Sequence, residues 1–191
     1  MMRIPKILTH LAAWLLSFGT AWAEEPKTTP FRLPDGSEVS TTDTIIPSPA
    51  PTQKFRKLTK QELDHINALA EQGDVFVRNY LPNVKTPGLK DYDQAFHAWQ
   101  KSPNKKYTAQ QVVQITGSYF GNTCSRELGM EWVEVTDEVG TDLAVRGLKK
   151  EIVSFPYSVV LKRVESHQYD FFYAIFNVLK QQSKSGEFKT R

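Results

Sequence analysis

A single cysteine, Cys124, stands in a chain of 191 residues, so no disulfide can form within it. The fold must therefore rest on core packing, and the lone thiol reads as a buried, inert side chain. Long apolar runs are also missing. The longest, Leu11 to Phe18, falls far short of the roughly 20 residues that cross a bilayer. Charge of one sign is scarce as well: the formal net charge is +3, and Arg3 and Lys6 belong to a segment that reads as removable. A working chain so close to neutrality gives no electrostatic case for nucleic acid or anionic lipid, which need clustered Lys and Arg. His65, His97 and His167 lie far apart and lack the spacing of a zinc site, so neither metal nor cofactor is expected.

The N-terminus carries what an export signal requires. Arg3 and Lys6 form a positive start, Leu11-Ala12-Ala13-Trp14-Leu15-Leu16-Ser17-Phe18 an apolar centre, and Ala21-Trp22-Ala23 an A-x-A cleavage site. The sequence thus predicts a signal peptide over 1–23, cleaved after Ala23, and an exported chain with no transmembrane segment. No cysteine at the cleavage site can receive a lipid.

Residues 24–57 differ in composition from the rest of the chain. Pro26, Pro30, Pro34, Pro47, Pro49 and Pro51 stand among many Ser and Thr, and this reads as a flexible leader. Within it, Phe31 to Val39 around Pro34-Asp35-Gly36 has the pattern of a small hairpin. The globular part is expected over 58–191. Thr59 and Glu62 have capping-box spacing, and Leu63, Ile66, Leu69, Phe76, Val77 and Tyr80 predict one long helix ending before Pro82. A second helix is expected after Asp91, and a third after Thr108, where Gln111 completes another capping box. Gly117 and Gly121 fall on one side of the third helix. Each costs about 1 kcal/mol relative to Ala, so close approach of another segment is the expected compensation. Gly129 stops the helix. Trp132–Val135, Leu143–Val145 and Ile152–Phe155 then read as strands, with Gly140 in a hairpin turn and Pro156 ending the third strand. Two helices come next, one from Ser158 and one through Phe171, Phe172, Ile175 and Leu179. The expectation is one α+β domain with a single core: N-terminal helices, a short antiparallel sheet of about three strands, and C-terminal helices.

Gly117-Ser118-Tyr119-Phe120-Gly121, Leu128-Gly129-Met130-Glu131-Trp132-Val133, Asp137-Glu138-Val139-Gly140 and Val153-Ser154-Phe155-Pro156 occur in this order. Together they resemble a bacterial family catalogued as domain of unknown function 3806, from Thr108 to the last helix. The resemblance implies a bacterial source and, with the export signal, the periplasm. It implies no activity and no catalytic residues.

Catalytic motifs fail one by one. Gly117-Ser118-Tyr119-Phe120-Gly121 is not G-x-S-x-G, and its serine lies inside a helix rather than on a strand-to-helix elbow. Cys124 sits mid-helix near an apolar face, a poor place for a thiolate. The acidic run Asp137 to Asp142 lacks the alternating ligands of a calcium loop. Trp132 stands out instead. Alternation puts it on one sheet face with Glu134 and puts Val133 and Val135 on the other. Were the valines to face the core, Trp132 would be exposed beside a carboxylate, with Asp137 close by, as in many binding surfaces; covering by a helix or by the Pro-rich leader is the more ordinary fate of such a residue. The sequence therefore favours a non-catalytic domain, of inhibitor or immunity type, that binds another exported or envelope protein. The alternative is an envelope hydrolase working through Glu131, Glu134 and Asp137.

Overall fold

The computed structural model describes residues 30–32, 38–40, 46–47, 53–138, 140–147 and 152–185. The expected signal peptide and its cleavage site, most of the expected leader and Val139 lie outside the described residues. The expected α+β order holds: N-terminal helices, an antiparallel sheet, then C-terminal helices.

The elements begin with a hairpin of β1 (Pro30–Arg32) and β2 (Glu38–Ser40), paired at Phe31 and Val39. β3 (Ile46–Pro47) and β4 (Lys54–Lys57) come next. The first helix was expected to run unbroken to Leu81; the structure has two, α1 (Lys60–Ala70) and α2 (Gly73–Tyr80). The Thr59–Glu62 capping box opens α1 as expected. A Cβ at Gly73 would collide with the Tyr92 hydroxyl, so only glycine fits at the first residue of α2. α3 spans Leu89–Lys101, three residues earlier than expected, because Asp91 accepts the Gly88 N–H at 2.8 Å. α4 (Ala109–Leu128) starts at the Thr108–Gln111 box and ends at Gly129 in the left-handed region, φ 67°. β5 (Glu131–Thr136), β6 (Thr141–Arg146) and β7 (Ile152–Ser154) precede α5 (Pro156–Ser166) and α6 (Phe172–Ser185). Pro156 does more than stop β7. It is the first residue of α5, where its missing N–H costs nothing.

The main sheet has five strands in the order β3-β7-β6-β5-β4, not about three. The two additional strands come from residues whose composition reads as leader. Lys54 to Lys57 pair with Thr136 to Val133, so the ordered sheet reaches back before Leu58. Both sheet faces are apolar. Trp132, Val145 and Ile152 join the main core with the helices, while Val133, Val135, Ala144 and Val153 form a second cluster with Phe55 and Phe155.

α4 runs through the middle of the helical layer and is buried along most of its length. Its polar core residues are satisfied locally: Thr116 donates to the Val112 carbonyl at 2.7 Å and Thr123 to that of Tyr119 at 2.9 Å. Both glycines face neighbours. A Cβ at Gly117 would lie 2.8 Å from the Tyr157 ring and 3.3 Å from the Tyr157 Cα, and one at Gly121 would collide with the Trp132 indole. Close approach is thus the reason for both, with backbone near Gly117 and an aromatic ring at Gly121.

Gly121→Ala sets a helix-propensity gain of about 1 kcal/mol against overpacking of about 1–3 kcal/mol. The ring cannot yield without moving β5, so a net loss of stability is expected in urea melts. Gly88→Ala, where a Cβ meets only Asp91 Oδ2 at 3.7 Å, serves as the tolerated control. Equal stability for Gly121→Ala and wild type would mean the indole is free to move.

Candidate functional site

β5 places Trp132 and Glu134 and leads into Asp137, and all three are spent on structure. Trp132 is only 7% exposed. Both sheet faces are apolar, and its face is the one the helices cover. Its indole N–H donates to Asn122 Oδ1 at 2.9 Å, and Asn122 in turn donates to Asn67 Oδ1 at 2.9 Å. The tryptophan therefore joins β5 to α4 and α1, and it offers no surface to a partner.

Glu134 lies on the same face, opposite Arg56 of β4. Arg56 Nε and one terminal nitrogen bond Glu134 at 2.8 and 2.7 Å, while both terminal nitrogens bond Glu62 at 3.0 and 2.9 Å. One guanidinium thus clamps β4, β5 and the start of α1. Its hydrogen bonds hold the Glu134 carboxyl below the usual range. They also bring Glu62 down to about 2, against partial burial and with help from the Thr59 N–H and hydroxyl. Asp137 belongs to the hairpin: Gly140 N–H donates to its carboxylate at 3.2 Å, and Asp137 N–H donates to the Gly140 carbonyl at 2.9 Å. Glu131 falls on the opposite strand face from Glu134 and lies 3.9 Å from Lys57.

The nucleophile candidates are equally committed. Cys124 is fully buried, and burial pushes its thiol well above the ordinary value. Ser118 Oγ sits 2.8 Å from Tyr157 Oη, and burial carries that phenol up to about 12 despite the bond. Among the described residues no three His, Cys, Asp or Glu side chains gather as a metal site would need.

A different region combines buried chemistry with exposed aromatic surface. Asp93 of α3 is 4% exposed, and its carboxylate receives three backbone N–H groups, from Phe171 and Phe172 at 2.8 Å and from Tyr173 at 3.1 Å. These are the orphan donors that begin α6, so a residue of one helix caps another. Burial nonetheless outweighs the three bonds and pushes the carboxyl up to about 6. The turn leading into α6 bends sharply, with His167 at φ 56° and Asp170 at φ 65°, a conformation that costs about 1–3 kcal/mol where the residue is not glycine.

This capped corner sorts the aromatics by side. Phe171 and Phe172 point into the core against Phe96, at 5.2 and 6.1 Å between ring centres. Tyr169 and Tyr173 stay 45% and 37% exposed. Neither is loose: Tyr169 stacks on His97 at 3.7 Å, and Lys90 Nζ lies 4.4 Å from the Tyr173 ring centre. Behind Tyr173 a groove of about 380 Å³ runs between α4 and α6, beside Pro87–Leu89. A hollow of similar size, about 390 Å³, lies between Trp99, Tyr107 and His167.

Sequence reasoning missed Asp93, Tyr169, Tyr173 and the groove. The available signal at Asp93 was an acidic residue wedged between Tyr92 and Ala95 on an otherwise apolar helix face. Nothing in spacing could name its partners, 78 to 80 residues away.

Residues 91–173 match the family described as Domain of unknown function (DUF3806). The expected resemblance is borne out, and it starts earlier than Thr108. The matched stretch opens two residues before Asp93 and closes on Tyr173, so it contains both ends of the interhelical cap. A solved crystal structure from Bacteroides thetaiotaomicron VPI-5482 is similar in fold, with a TM-score of 0.51 at 15% identity over 71% of this chain. The chain spans 48% of that protein's length. No curated protein matches the sequence.

The Arg56 clamp makes a pH prediction. An ordinary glutamate titrates near 4.5, whereas Glu62 in the fold titrates near 2. The clamp's stabilisation is therefore fully present above about pH 4.5 and lost as pH falls toward 2. Arg56 is partly solvent-exposed, so Arg56→Gln should cost only about 1 kcal/mol at neutral pH. Urea denaturation at a series of pH values should show this difference shrinking below pH 4.5. A gap that stays constant down to about pH 2 would contradict the clamp.

Proposed function

We propose that the chain is exported to the periplasm, with residues 1–23 removed, and that its folded domain acts by binding another exported or envelope protein. The observation that carries this reading is the pair of exposed, rigidly seated tyrosines, Tyr169 and Tyr173, flanking the capped start of α6. Tyrosine supplies large contact area at a small ordering cost, and binding energy concentrates on a few such anchors. Here that ordering is met in advance by the His97 stack, by Lys90 and by the three amides gathered on Asp93. The binding surface thereby moves from β5, where Trp132 and Glu134 serve the core and the Arg56 clamp, to the corner between α3 and α6. Export draws its support from the three-zone N-terminus. Among the described residues no helix is long and apolar enough to cross a membrane.

The hydrolase alternative gains nothing from β5. Glu131 and Glu134 project from opposite faces of the strand. Glu134 is held ionised by Arg56, the reverse of what a general acid requires.

The test is a comparison of variants in a pull-down from envelope extract. Tyr169→Ala with Tyr173→Ala should keep the fold and lower capture of the partner at least about ten-fold. Glu134→Gln and Asp137→Asn should leave capture unchanged. Full retention by the double tyrosine variant would refute the assignment. A turnover on envelope polymer that vanishes in Glu134→Gln would replace it with the enzyme.

A further inference from the structure

The groove behind Tyr173 carries a charge pattern with its own consequence. Its walls are aromatic, from Tyr119, Tyr173 and Phe176, and Arg126 and Lys180 line it. Lys90 joins them at the rim through its position over the Tyr173 ring. Lys180 Nζ lies 5.9 Å from the Phe176 ring centre, so two ammonium groups rest on aromatic faces beside one groove. A cation held this way is oriented by the ring quadrupole and gives up part of its hydration. Glu127 is the carboxylate among the lining residues, and Arg126 already engages it at 3.0 Å. Lys90, Arg126 and Lys180 face two carboxylates that are already engaged, Glu127 by Arg126 and Asp91 by the Gly88 N–H, which leaves a positive excess at the groove, and low-dielectric aromatic walls strengthen that field.

Resting on the binding reading, we propose that this groove seats an extended acidic segment of the partner protein. The segment's carboxylates meet Lys90, Arg126 and Lys180, and its apolar side chains lie on Tyr173 and the partly buried Tyr119. The aromatic walls are why the ligand is a protein segment: a bare anion would gain nothing from them. Asn177 on the same wall adds a side-chain amide able to bond peptide backbone.

A labelled synthetic peptide of alternating Glu and Leu, titrated against the purified protein by fluorescence anisotropy, tests this. The same peptide with Gln for Glu is the comparison. The Glu peptide should bind at least about ten-fold more tightly and weaken as ionic strength rises. Arg126→Glu with Lys180→Glu should abolish the preference, whereas Arg126→Lys with Lys180→Arg should keep it. Thermal melts establish that the reversed variant folds, and Arg126→Gln with Lys180→Gln replaces it if it does not. Equal binding of the two peptides, or a preference that survives charge reversal, would overturn the proposal. So would a dimer seen by light scattering that charge reversal dissolves, since the groove would then seat a second copy. If the envelope partner is released by the tyrosine variants yet still captured by the charge-reversed protein, the acidic segment is wrong and the binding reading stands.

Discussion

The Asp93 carboxylate, buried at the start of α6, is the contact from which the proposed binding face of this domain is built. An ionisable group out of water carries a desolvation cost of several kcal/mol. Three charge-assisted hydrogen bonds, each worth about 1.5–3 kcal/mol, offset part of it and are outweighed by burial. The arrangement is therefore no net source of stability, and what it secures is geometry. Two oxygens receive three consecutive amides, which fixes where α6 begins and which way each of its first side chains points. Phe171 and Phe172 go inward to meet Phe96, Tyr92 and Phe120. Tyr173 is left outside beside Lys90, and Tyr169 folds back onto His97. One buried acid thus separates core from surface along a single stretch of chain.

The rest of the domain holds α3 and α4 still enough for that contact to matter. Tyr92, the neighbour of Asp93, stacks on Tyr119 of α4 at 3.7 Å, and Gly73 gives way to its hydroxyl. Farther along α4, Gly117 and Gly121 admit Tyr157 and Trp132, which ties α5 and the sheet to the same helix. Arg56 closes the far side by clamping β4, β5 and α1. Ring stacking and the glycine contacts locate elements relative to α4, and the clamp fixes β4, β5 and α1 to one another. The face formed by α3 and α6 inherits that rigidity, which lowers the ordering cost a partner would otherwise meet.

Local chemistry was legible in the sequence, and long-range chemistry was not. Thr59–Glu62 and Thr108–Gln111 announce their helices because capping boxes act over three residues. The strands around Trp132, Leu143 and Val153 announce themselves by composition and by the turn at Gly140. Three features escaped for identifiable reasons. The break before Gly73 interrupts a periodic pattern that reads as continuous, and only the Tyr92 hydroxyl gives that glycine a purpose. The strand Lys54–Lys57 looks like leader because charged residues dominate it, yet its backbone pairs with β5 and Arg56 finds Glu134 and Glu62. Trp132 reads as either exposed or covered because alternation says which residues share a face but not which face is covered, and here both are. The tyrosine corner was least visible of all. Its exposed and buried aromatics alternate over Tyr169 to Tyr173 without a helical period, and the acid that sorts them lies in another helix.

Amide hydrogen exchange at Phe171, Phe172 and Tyr173 tests the role of Asp93 most directly. In Asp93→Asn the side-chain carbonyl can still accept the two amides bonded to Oδ1, while the amide nitrogen replacing Oδ2 turns a donor toward Tyr173. Slow exchange at all three positions is expected in the wild-type protein. Asp93→Asn should selectively accelerate Tyr173, and Asp93→Ala should accelerate all three, with protection in α4 retained in both variants. Fast exchange of these amides in the wild type, or protection unchanged in Asp93→Ala, would contradict the claim that this carboxylate sets the start of α6 and the face built on it.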